Sequence, residues 1–75
     1  MDTQNFTLTA EFIELNALLK LLALASSGGM AKMLIVNGQV LVDARVETRI
    51  RRKLRGGELV QVGAAAVRIV RGSAG

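Results

Sequence analysis

The chain has 75 residues, 51% of them hydrophobic, with no cysteine and no histidine. This length and composition exclude a second core, a disulfide framework and thiolate-bound metal, so aliphatic packing must stabilise a single domain, 1–75. Residues 1–44 carry two bases and four acids (net −2), whereas residues 45–75 carry eight bases and two acids (net +6). This asymmetry favours a polyanionic partner, the alternative being a basic surface that only aids solubility.

The charges near the start of the given sequence do not predict an export signal. Before Lys20 there are acids but no lysine or arginine, the wrong charge for a secretory or transit peptide. The apolar run 12–25 has 14 residues, fewer than the roughly 20 that cross a bilayer. We therefore expect a cytoplasmic protein without a membrane partner.

The first predicted elements are a short strand and a helix. Residues 6–8 are predicted to form an edge strand or an ordered arm. From Ile13 onward apolar residues recur at helical spacing and predict a helix with one buried face. That face comprises Leu15, Leu18, Leu19 and Leu22. Leu21 and Leu24 widen the apolar arc, so we expect this helix to be covered on more than one side.

A second helix is predicted from about Gly28 to Val36. Ser26 and Ser27 precede it and offer a hydroxyl N-cap, and the Asn37-Gly38 pair supplies a stop that tolerates left-handed backbone. Four apolar residues at spacings of three and four are expected to face inward. They are Met30, Ala31, Leu34 and Ile35.

The rest of the chain is predicted to be β structure. Residues 40–42 form a strand, followed by a turn at 43–45. Residues 46–54 fit both periods, since Ile50 and Leu54 suit a helix face as well as one side of a strand. We favour extended structure, with a hairpin through Gly56-Gly57 to residues 59–62. A last strand is expected at 67–70, after a turn at 63–66.

Residues 49–55 contain five bases in seven positions and are the strongest functional signal. On a strand, alternate side chains lie about 6.6 Å apart, close to the spacing of successive phosphates. Arginine suits this role because a guanidinium binds phosphate oxygens through two hydrogen bonds. The bases predicted to meet phosphates are Arg49, Arg51, Lys53 and Arg55, with Arg52 beside them. The alternative is a solvated edge strand that charge protects from pairing.

The start of the second helix is a weaker candidate anion site. Ser27, Gly28 and Gly29 would let a phosphate approach free N–H groups at the positive end of the helix dipole, with Lys32 one turn away. The alternative is a plain helix cap without a ligand.

Catalysis is not expected. The chain has no His, Cys or Tyr to activate a hydroxyl, and its six acids form no evident divalent-cation site. We expect neither a cofactor nor a small-molecule substrate. Phe6 and Phe12 are the only aromatic residues, too few to stack splayed bases. The expected partner is therefore a folded RNA that is recognised by backbone shape.

Several segments together resemble a known family, the S-four RNA-binding domain or αL motif. They are Leu18-Leu19-Lys20, Ser27-Gly28-Gly29-Met30-Ala31-Lys32, Leu34-Ile35, Gly38-Gln39-Val40-Leu41-Val42, and the run from Glu47-Thr48-Arg49 through Lys53-Leu54. The domain also occurs in the small-subunit ribosomal protein of that name, in pseudouridine synthases and in tyrosyl-tRNA synthetases. The resemblance covers residues 6–70 and is strongest to small stand-alone bacterial members.

This resemblance implies an α+β fold, a two-helix αL motif packed on a small, mainly antiparallel sheet. It also implies a non-enzymatic, monomeric protein that binds structured RNA, with ribosomal RNA as one candidate. The RNA-binding residues that it implies, together with those predicted above, are Lys20, Ser27, Gly28, Lys32, Gly38, Arg49, Arg51, Arg52, Lys53 and Arg55. The alternative functions are docking of an acidic protein partner, as in ribosome assembly, and a less favoured duplex-DNA binding through the helix pair.

Overall fold

The computed structural model describes residues 3–72. Within this range the chain forms two helices and seven strands, in an order that starts and ends with a strand. The elements are β1 (Thr3–Leu8), β2 (Ile13–Glu14), α1 (Leu15–Leu21), α2 (Gly28–Val36), β3 (Val40–Val42), β4 (Arg45–Val46), β5 (Lys53–Leu54), β6 (Leu59–Val62) and β7 (Ala65–Arg71). No helix in this described range is long and apolar enough to cross a membrane.

Five of the strands make one mixed sheet in the order β1-β7-β6-β3-β4. β1 runs parallel to β7 at one edge, and the other three pairings are antiparallel. β2 and β5 form a separate antiparallel pair. The predicted α+β fold with a mainly antiparallel sheet is confirmed, and so is the edge strand near Phe6.

The core lies between the helix pair and the large sheet. Leu15, Leu18 and Leu19 of α1 are fully buried, as the leucine spacing predicts. α2 contributes Ala31 and Ile35, and alternate residues of the strands point inward from the sheet. The side chains that the large sheet contributes to this core are Leu8, Val40, Val42, Val60, Val67 and Ile69.

Two predicted core positions are wrong. Leu21 is 63% exposed and Met30 42% exposed. The predicted helix start is also wrong, because Ile13 belongs to β2, where it pairs with Leu54. α1 has only seven residues, and Ala23 turns into left-handed backbone just beyond it, at φ +58°. So short a helix buries one face only.

α2 has the predicted bounds and the predicted ends. The Ser27 hydroxyl accepts the backbone N–H of Met30 at 3.1 Å, satisfying one of the donors that the first turn leaves free. Gly38 follows the helix at φ +76°, a conformation that glycine adopts without strain.

The turn after β3 lies where it is predicted, except that Arg45 already belongs to β4. Asp43 and Ala44 both have positive φ, +53° and +68°, as a two-residue hairpin between β3 and β4 requires. The Asp43 Oδ1 atom accepts the N–H of Leu59 at 3.0 Å. The carboxylate thereby links the hairpin to β6. This hydrogen bond offsets part of the free-energy cost of the positive φ angles in the turn.

The predicted continuous strand over 46–54 is wrong, and so is its hairpin with 59–62. Residues 47–52 lie outside the strands, and the Arg52 N–H donates to the Arg49 carbonyl at 3.3 Å, which marks a turn. β6 pairs with β3 and β7, while β5 pairs with β2. A partner distant in sequence, next to α1, therefore decides the path of this segment.

Candidate nucleic-acid interface

Residues 49–55, the basic segment, are hydrogen-bonded to the start of α1. The N–H groups of Leu15 and Asn16 donate to the carbonyls of Arg52 and Ile50, at 2.8 and 3.1 Å. These carbonyls satisfy donors of the first helical turn, where the residue at the N-cap, Glu14, makes no side-chain cap. The backbone of residues 50–52 is thus fixed while its charged side chains remain on the surface.

Glu47 organises two of the arginines. Its Oε2 atom accepts the backbone N–H and the Nε–H of Arg49, both at 3.0 Å. Its Oε1 atom accepts from Arg49 Nη2 and Arg52 Nη1, both at 2.9 Å. Both carboxylate oxygens are therefore used, and the turn at Arg49 brings two guanidinium groups onto one acid.

These contacts change the acidity of Glu47. The hydrogen bond from the Arg49 side chain stabilises the ionised carboxylate, with smaller contributions from the Arg49 N–H and from Arg52. Burial acts in the opposite direction but is outweighed, and the pKa of Glu47 falls to about 2. The carboxylate is therefore ionised at neutral pH.

Arg51 is paired more loosely. Its Nε atom lies 3.3 Å from one oxygen of Glu14 and 3.4 Å from the other. The Arg51 side chain is 77% exposed, and ion pairs this open to water contribute little to stability. The guanidinium can leave Glu14 for another anion at small cost.

Lys53 and Arg55 lie over the ring of Phe12. Lys53 Nζ is 4.9 Å and the Arg55 guanidinium carbon 5.7 Å from the ring centroid, within the range of cation–π attraction. Both cations thus contact one ring, and Phe12 is half-buried.

Four of the predicted bases converge on one open concavity of about 540 Å³, lined by Arg49, Arg51, Arg52 and Lys53. A second concavity of about 560 Å³ shares Arg49 and Arg52 with the first. It also includes Arg45, but the acids Asp43 and Glu47 line it as well. The first concavity is therefore the more positive of the two.

The arrangement differs from the predicted row of four free cations on one side of a strand. Arg49 and Arg52 share Glu47, so that this group of three has a net charge of +1. The Arg49 side chain remains 73% exposed, whereas that of Arg52 is 27% exposed. Arg49 is thus accessible to a ligand, and Arg52 mainly supports it. Arg55 does not line the concavity.

The helical residues predicted for the site lie elsewhere. Lys20 occupies the last turn of α1, and Ser27 caps α2. Gly28 and Lys32 are exposed on α2. None of these residues lines the concavity of the arginines. Gly38 has a structural explanation in the turn after α2.

Sequence reasoning missed the roles of Glu47 and Phe12. An acid two residues before Arg49 in a basic run signals a local ion pair, but only the turn shows that it reaches Arg52 as well. Phe12 lies far from Lys53 in sequence, and no local signal links them. Among the described residues no group of three metal-ligating side chains occurs.

Comparisons with known proteins agree on one family. The family model described as S4 domain matches residues 6–70. YbcJ of Escherichia coli (strain K12) and YbcJ of Shigella flexneri are each 45% identical over 58 residues, which cover 77% of this chain and 83% of theirs.

A solved structure is also similar. The solution structure of YbcJ from E. coli, described as revealing an αL motif involved in RNA-binding, superposes with a TM-score of 0.70. It is 39% identical, and the match covers 93% of this chain and 90% of that one.

Proposed function

This chain belongs to the S4 domain family, and we propose that it binds folded RNA, without catalysis, through the concavity of Arg49, Arg51, Arg52 and Lys53. The convergence of these four bases on one open surface is the observation that carries the proposal. The αL motif in the solved structure of the E. coli relative is also described as involved in RNA-binding.

Phosphate is the ligand that these side chains suit best. Arg49 and Arg51 are each about three-quarters exposed, so part of each guanidinium group faces the solvent. A guanidinium matches two phosphate oxygens at once, which an ammonium cannot do. Bases on a turn rather than on a straight strand present their charges from several directions, and this suits a folded backbone.

The aromatic residues support folded RNA over an open strand. Proteins that read unpaired bases stack them on exposed rings. The Phe12 ring is covered by Lys53 and Arg55, and Phe6 is half-buried in the edge strand. We therefore propose recognition of backbone shape, with ribosomal RNA as the first candidate.

The helix pair supplies a second, weaker part of the proposed interface. Gly28 and Gly29 are exposed at the start of α2, and a Cβ at Gly28 would meet no atom within 4 Å. The positive end of the helix dipole is thus open to an anion. Lys20 and Lys32 are exposed nearby in sequence and would add charge.

The test is the affinity for a labelled RNA hairpin, measured by fluorescence anisotropy at fixed salt. The variant R49Q/R51Q/K53Q should bind the hairpin at least about tenfold more weakly, because each lost cation removes a phosphate contact. Circular dichroism checks that it remains folded. A folded triple variant with wild-type affinity would show that the proposed surface is not the site.

A charge-matched pair of single variants sharpens this test. Arg68 lies on β7 and lines neither of the two concavities. Its Nη1 atom donates to the Gly57 carbonyl at 2.8 Å. R51Q and R68Q remove the same charge, and we expect a clear loss of affinity only for R51Q.

Pull-downs after complete nuclease digestion would reveal a protein partner instead.

A further inference from the structure

Glu47 is a buried acid in the most basic part of the chain. It is the one charged residue that is buried among residues 3–72, with 7% of its surface exposed. For a surface that binds a polyanion, a carboxylate at this place cancels one unit of attraction. Its presence calls for a benefit other than charge.

That benefit is geometry. Arg49 donates to Glu47 from both Nε and Nη2, a two-point contact that fixes the plane of the guanidinium. The same carboxylate holds Arg52 through Nη1. Free arginine side chains lose rotamer entropy when a ligand orders them. Arg49 has already been ordered by Glu47.

We infer that Glu47 is a positioning residue that fixes Arg49 and Arg52 in one arrangement, so that the surface favours folded RNA over flexible polyanions. This inference rests on the proposed function. An ordered surface saves entropy only for a ligand whose phosphates already fit it. A flexible strand adapts to mobile cations equally well and responds mainly to net charge, which Glu47 lowers. Glu47 thus weakens the binding of flexible polyanions more than the binding of a folded RNA whose phosphates fit the surface.

The experiment compares two ligands, an RNA hairpin and a single-stranded oligouridylate of equal length. The ratio of the two affinities measures discrimination. E47Q should raise the affinity for the oligouridylate about twofold or more and lower the hairpin-to-oligouridylate ratio severalfold. The salt dependence of oligouridylate binding should become steeper, by the equivalent of up to about one more neutralised phosphate. E11Q is the matched control, since it removes the same negative charge at the exposed Glu11. It should leave the ratio as it is in the wild type.

A second variant separates geometry from charge and serves if E47Q fails to fold. E47D keeps the negative charge but shortens the side chain by one C–C bond, about 1.5 Å. It should keep the salt dependence of the wild type and still lose discrimination. Nitrogen-15 spectra of the arginine Nε–H groups provide a direct readout. The Arg49 signal should be slow to exchange with water in the wild type and fast in either variant.

The outcomes are distinguishable. Wild-type protein that binds neither ligand, or both equally, would overturn the proposed function itself. Wild-type protein that prefers the hairpin, while folded E47Q and E47D keep that preference in full, would overturn the role of Glu47 alone. A loss of preference in both variants but not in E11Q supports the inference.

Discussion

At the scale of single residues, the same few hydrogen bonds that order Arg49 also set the acidity of Glu47. The two guanidinium groups and one backbone N–H stabilise its ionised form. In the unfolded chain these donors are lost, and the carboxylate recovers its ordinary pKa of about 4.5. Folding and protonation of Glu47 are therefore linked.

The linkage predicts how stability depends on pH. The pKa of Glu47 is about 2 in the folded protein, below the unfolded value, so its contribution is complete above about pH 5 and declines as the pH falls toward 2. In urea denaturation between those limits, the wild type should lose stability more steeply than E47Q. E11Q should follow the wild type. Parallel wild-type and E47Q curves would show that Glu47 titrates normally in the folded state.

Gly56 illustrates a backbone constraint at the same scale. It has φ +127°, and a Cβ there would lie 2.5 Å from Cγ of Arg71. That arginine cannot easily move away, because its Nη1 atom donates to the carbonyls of Ala10, Glu11 and Arg55. The Arg71 side chain thus ties three loop carbonyls together across Gly56.

We predict that G56A is markedly less stable than G57A. Gly57 also has positive φ, +94°, but open space at its Cβ, so both variants carry the strain of left-handed backbone. Only G56A displaces Arg71, which should cost about 1 to 3 kcal/mol more, as overpacking does. Chemical denaturation of the two variants measures the difference. Equal stabilities would mean that Arg71 gives way freely.

At the scale of elements, α2 depends on its cap. Ser27 accepts the Met30 N–H, whereas Ser26 is exposed before the cap position. S27A should lower the free energy of unfolding by about 1 kcal/mol. S26A should change it little, and it is the control in the same thermal melts. Equal effects of the two variants would place the cap elsewhere.

The elements also show what sequence can and cannot predict. α2 was predicted with the correct bounds because Ser27 and Gly38 mark its ends locally. Residues 46–54 were predicted as one strand because alternation is a local signal, whereas the partners of Ile50 and Arg52 are N–H groups of α1, more than thirty positions away. Local periodicity carries no information about such a partner.

At the scale of the whole molecule, the eight bases of residues 45–75 do not act as one surface. Arg68 and Arg71 donate to backbone carbonyls beside β7 and stabilise turns. Four others line the concavity. Composition predicted a basic half, and the basic run predicted its centre, but neither separates the cations that support the fold from those left for a ligand.

This division predicts a modest salt dependence of RNA binding. The four bases of the concavity are opposed by Glu47 and Glu14, so we expect about two to four neutralised phosphates. The logarithm of affinity against that of salt should then have a slope of about −2 to −4. Anisotropy titrations at several salt concentrations give this slope. A value near −7 would require all eight bases to contact phosphate, including Arg68 and Arg71, and would contradict the structural role of those two. A flat response would exclude phosphate contacts as the source of affinity.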